Sequence, residues 1–156
     1  MKKLLLLMLT GMLVSAQQHH GNVSWELVEA IRQVESKGRN VVGDHGMAVG
    51  QWQFWRIAWK DVNQERAKQG LLTYSYQFAW DEKVARVYAH DLLLISRARF
   101  IGSQKREPTI ADLWYMYNLG YNRYAIQLGA DIDKAPIKTR VRAWKKLMEL
   151  KKNMEE

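Results

Sequence analysis

Glu35 lies at the end of a segment in which Val28, Ile31 and Val34 recur at helical spacing, and Asp44 follows across a glycine-bearing stretch. A carboxyl group set among apolar side chains keeps its proton to higher pH than a solvated one, because burial disfavours the charged form. Such an acid can protonate a poor leaving group, and a glycosidic oxygen needs this because an alkoxide leaves badly. The positive charge that develops on the sugar then calls for a nearby anion or an internal nucleophile, and Asp44 is the nearest candidate anion. Asp44 has an equally good second reading, since a Gly-Asp-x-Gly turn uses an Asp for local backbone hydrogen bonds. Trp52, Trp55, Trp59 and Trp80 are concentrated around this segment. Their flat rings suit sugar faces, but core packing is the commoner fate of a Trp, so at most two of the four are expected to touch a glycan.

The elements that would position these groups are mainly helices. Ser24 is a candidate N-cap with Glu26 in the first turn, and Gly38 closes the helix that carries Glu35. Residues 39–48 hold Gly43, Gly46, Asn40 and Asp44 and predict a loop or short hairpin, so any sheet is small. Helical patterning resumes near Phe54, with Ile57, Ala58 and Val62 on one side, and stops near Gly70. A longer helix follows, with Trp80, Val84, Val87, Tyr88, Leu92 and Ile95 as its apolar face, before the break at Pro108. Thr109 to Asp112 resembles a capping box opening a helix that ends near Asn118 and Gly120. A short helix precedes Gly129, and a last one begins near Pro136 with Ile137, Val141, Trp144 and Met148 on one face and basic residues largely elsewhere.

Met1-Lys2-Lys3, an apolar run from Leu4 to Val14, and Ser15-Ala16 have the order of a secretory signal peptide, with cleavage expected after Ala16. The run is short of the roughly 20 residues a membrane span needs, so no permanent anchor is expected. Residues 17–23, including His19 and His20, read as a polar, flexible lead-in, and a His pair without a third ligand does not make a metal site. The remaining 24–156 suit one domain. With no Cys in the chain, the fold must rest on its core alone. Removing Lys2 and Lys3 leaves 22 basic against 16 acidic side chains, a net charge of +6 in place of +8. In an exported, periplasmic or extracellular protein that charge favours acidic polymers over nucleic acid.

Three pieces stand in order along the chain: Glu35-Ser36, then Gly50-Gln51-Trp52-Gln53, then Tyr117-Asn118-Leu119-Gly120. The order resembles the lysozyme-like superfamily, in particular lytic transglycosylases and goose-type lysozymes, whose pattern is Glu-Ser, a glycine-rich turn, Gly-x-x-Gln and a later Tyr-Asn-x-Gly. Asp44, Gly46, Gly50, Gln53, Trp59 and Asp61 are also similar to invertebrate-type lysozymes, although those enzymes are rich in disulfides. The resemblance covers residues 28–61 and 113–122. It implies a mainly α, lysozyme-like α+β fold with a small hairpin region beside the catalytic helix. It implies that Glu35 is the general acid, with Asp44 as the possible second carboxylate, and that Ser36 helps to orient Glu35. Gln53, Trp52, Tyr117 and Asn118 would meet the sugar, Tyr117 lying near Glu35, and Gly50 and Gly120 would let backbone approach substrate. Asp61 reads as structural, capping or pairing near Trp59.

The implied activity is cleavage of the MurNAc-GlcNAc β-1,4 bond of peptidoglycan by a monomer, with chitin a related but weaker candidate and no metal or cofactor. Two other classes compete. One is a catalytically silent lysozyme-like module that binds cell wall. The other is a cationic antibacterial protein acting on membranes through its C-terminal helix.

Overall fold

The computed structural model describes residues 23–155, so the expected signal peptide and all but the last residue of the polar lead-in, His19 and His20 among them, lie outside the described residues. The chain is mainly helical, with one small three-stranded antiparallel sheet. Helix α1 spans Trp25–Ser36. The Ser24 hydroxyl accepts from the Leu27 N–H at 3.2 Å, satisfying one of the amides that a helix start leaves unpaired. Lys37, left-handed at φ 56°, ends the helix, and its N–H returns to the Gln33 carbonyl at 2.9 Å.

The hairpin region follows as β1 (Val42–Gly43), a 3-10 turn (Asp44–Gly46), β2 (Ala48–Val49) and β3 (Phe54–Trp55), paired in that order. Val42 faces Val49, and Val49 in turn faces Phe54. Strands this short cannot hold themselves, and side chains anchor them. The Gln53 amide donates to the Val41 and Gly50 carbonyls at 2.9 and 2.8 Å. Gly50 itself sits at φ 80°, and a β-carbon there would lie 2.1 Å from the Ala79 carbonyl oxygen. Its close approach is therefore to a neighbouring turn of the same chain, which corrects the expectation that it opens backbone to substrate.

Helix α2 (Arg56–Lys68) buries Trp59 and Val62. The Trp59 ring stacks on Tyr88 at 3.9 Å and meets Phe54 edge-on at 5.1 Å. Asp61 accepts from Arg99 at 2.6 Å, so it pairs as expected of a structural carboxylate. A 3-10 turn over Tyr76–Trp80 leads into α3 (Glu82–Gln104), capped by the Asp81 side chain on the Val84 N–H at 2.9 Å. The core face of α3 is Ala85, Tyr88, Ala89, Leu93, Ser96 and Phe100, rotated from the expected one, and Val87 is exposed. Ala85 and Ala89 let neighbouring helices approach closely, while Val84, Leu92 and Ile95 pack partly buried beside them.

Helix α4 (Ile110–Leu119) opens with the expected box: the Thr109 hydroxyl accepts from the Asp112 N–H at 3.1 Å, and Asp112 accepts from the Thr109 N–H at 2.8 Å. A π-helical turn (Asn122–Gln127) and a 3-10 turn (Ile132–Lys134) connect it to α5 (Ile137–Glu155). Helix α5 packs on α1 and α4, and the Trp114 indole donates to the Ala143 carbonyl at 3.1 Å. The inward face of α5 is Ala143, Leu147 and Leu150. Ile137, Val141, Trp144 and Met148, grouped on one face by sequence, point outward instead.

Candidate active site

The last turn of α1 brings Glu35 into a cleft of about 330 Å³ lined also by Asp44, Gln53, Trp55, Tyr117 and Asn118. Elements distant in sequence thus meet here: α1, the hairpin turn and the end of α4. Only 11% of the Glu35 side chain is exposed. From α5, the Lys146 ammonium donates to both carboxylate oxygens, at 3.3 and 3.2 Å. Burial is the largest influence on Glu35 and raises its pKa. The Lys146 charge and hydrogen bond and the Asn118 side chain pull it down, and the Asp44 charge adds to the rise. Burial wins, so Glu35 holds its proton to higher pH than an ordinary glutamate.

Asp44 sits in the 3-10 turn at φ 46°, and its Oδ2 accepts from the Trp55 indole at 3.2 Å. Asp44 thus lines the cleft with Glu35, and its carboxylate meets the Trp55 indole rather than the backbone of its own turn. Trp55, half exposed, presents its ring beside it. Tyr117 is enclosed, and its hydroxyl donates to the Trp52 carbonyl at 2.7 Å. Burial, with the Glu35 charge second, pushes this phenol well above its usual range, so it stays protonated as a donor. Asn118 is the penultimate residue of α4, and its Oδ1 is buried with no partner among the described residues. The Asn118 side chain also hydrogen-bonds Glu35, so it bears directly on the acid.

No protein family, curated protein or solved structure matches the chain. Two of the five side chains expected to meet the sugar or to orient the acid fall outside the cleft. Trp52 is fully buried, its indole donating to the Val28 carbonyl at 2.8 Å, so it is core rather than sugar platform. The Ser36 hydroxyl is also buried and donates to the Gln51 carbonyl at 2.7 Å, tying α1 to the glycine-rich turn instead of orienting Glu35. Gln53, Tyr117, Asn118 and Gly120 do line the cleft.

Three basic residues were missed by sequence reasoning: Lys146 on Glu35, and Arg123 and Arg142 on the cleft wall. They stand 88 to 111 positions after Glu35, in segments whose many basic side chains look alike in sequence. Only the packing of α5 against α1 singles out Lys146. Among the described residues, no three His, Asp or Glu side chains gather as a metal-holding group.

Proposed function

We propose that this chain cleaves the MurNAc-GlcNAc β-1,4 bond of peptidoglycan with Glu35 as general acid, on a lysozyme-like helical fold, after export from the cell. The observation that carries the reading is the buried carboxyl of Glu35, its pKa raised by enclosure, in a cleft that also contains Asp44, Gln53, Tyr117 and Asn118. Glu35 gives its proton to the bridging oxygen as the bond from that oxygen to the anomeric carbon breaks, and the released sugar leaves as an alcohol. The carboxylate so formed then takes a proton from the nucleophile that attacks the anomeric carbon. That nucleophile is either a water, with Asp44 as the nearby anion, or the 6-hydroxyl of the same sugar. The half-exposed Trp55 ring beside Asp44 suits a sugar face.

One observation favours a second reading, a wall-binding module without catalysis. The Lys146 ammonium bonds both oxygens of Glu35, an arrangement that favours the ionised form over the proton donor. Mass analysis of products from purified peptidoglycan separates the cases. Fragments ending in reducing MurNAc mean hydrolysis, and 1,6-anhydro-MurNAc ends mean transglycosylation. Binding without product supports the silent module.

A further inference from the structure

Helix α5 carries Ile137, Val141, Trp144 and Met148 at intervals of three and four residues, 67%, 44%, 54% and 45% exposed. Four large apolar side chains in one open stripe are not what a solvated helix presents. The shallow groove along the stripe is lined by Ile137, Val141 and the side chains of Lys138, Arg142 and Lys145. Helical spacing sets Lys138 and Lys145 along one edge and Lys151 along the other. The helix as a whole holds seven basic side chains against two acidic ones, Glu149 and Glu155.

We infer that this stripe docks the protein peripherally on an anionic lipid bilayer. The apolar side chains enter the boundary between headgroups and acyl chains, with the Trp144 ring at the depth where an indole is favoured. The lysine and arginine stems cover apolar surface while their heads reach lipid phosphates. Among the described residues no helix is long and apolar enough to cross a membrane, so α5 lies along the surface. Charge also argues against a second copy as the occupant, because a two-fold pairing of stripes sets one basic edge against another. Arg142 lines both this groove and the cleft of Glu35, so a docked stripe holds the rim of the cleft beside the headgroups.

Flotation of the full chain with vesicles tests this. The chain should float with vesicles of equimolar phosphatidylcholine and phosphatidylglycerol, stay behind with phosphatidylcholine alone, and be released by salt. Val141→Ser with Trp144→Ser, both exposed and harmless to the core, should lower the bound fraction about tenfold or more. Lys138→Glu with Lys145→Glu should weaken binding to the anionic vesicles in the same way. Failure of the parent chain to bind them overturns the inference. So does equal binding by the apolar double variant, which would assign attachment to residues outside the stripe. A dimer in lipid-free solution that Trp144→Ser dissolves would give the stripe to a second copy and also overturn it.

Discussion

Glu35 stands between two opposed influences, enclosure that favours its neutral form and the Lys146 ammonium that favours its charged one. Because enclosure dominates, the acid required for cleavage is present at low pH and is lost as pH rises through the raised pKa. The rate of glycan cleavage should therefore fall on the alkaline side with the titration of this group. Lys146→Met removes an influence that lowers the pKa, so it should shift that limb to higher pH, measured as the pH profile of kcat/KM. The same shift bears on stability. A carboxyl whose folded pKa is raised contributes stability below its unfolded pKa and loses it as pH climbs through the folded one. Glu35→Gln should then gain on the parent chain in thermal stability as the buffer is taken from acid to neutral pH. The place of Glu35 at the end of an apolar helix was legible because its helical neighbours, cap and following turn are all local signals. Lys146 was not, because nothing in a run of basic residues marks the one that a distant helix will receive.

Helix α4 is held at its start by Asp112, which is buried and bonded at once by Arg106, Tyr124 and Thr109. Burial alone would raise its pKa, yet those partners bring it down to about 2. Its contribution is present above the unfolded pKa and is lost as pH falls through the folded one, so stability should drop between about pH 4 and pH 2. Asp112→Ala should cost roughly 3 kcal/mol at neutral pH by urea unfolding, with the loss narrowing in acid. Gly50→Ala should cost roughly 2–4 kcal/mol, since it adds a β-carbon against the Ala79 carbonyl at a left-handed φ. Caps at Ser24 and Thr109 were readable because they rest on single residues acting on adjacent backbone, whereas the helix expected to end at Gly38 ends one residue earlier, at left-handed Lys37. Helix faces were less readable. In α3 and α5 small residues took the inward side, Ala85 and Ala89 in one and Ala143 in the other, because close helix contact rewards them.

Across the whole molecule, the sheet and α1 are joined to the remaining helices through aromatic side chains, and Trp52 is central among them. Its ring is sealed in the core while its carbonyl receives Tyr117 from α4. Trp52→Ala should therefore lower stability by roughly 3–5 kcal/mol, seen as one cooperative shift in chemical unfolding. A substitution at Trp55 should leave stability nearly unchanged and act on glycan affinity instead. Sequence could group the tryptophans around the site but could not divide them, because ring chemistry is the same whether it meets a sugar or a helix. Cationic character was legible as a total, whereas its gathering along the outward stripe of α5 depends on how that helix rolls against α1.

In the proposed reaction Glu35 delivers the proton on which glycan cleavage depends. The most direct measurement of that role compares the parent chain with Glu35→Gln on purified peptidoglycan, counting soluble fragments by mass. The parent should release MurNAc-ended or anhydro-MurNAc-ended fragments, the variant should do so at a rate about 10²–10⁴ lower, and both should sediment equally with the wall. Fragment release by Glu35→Gln at the parent's rate would contradict that role.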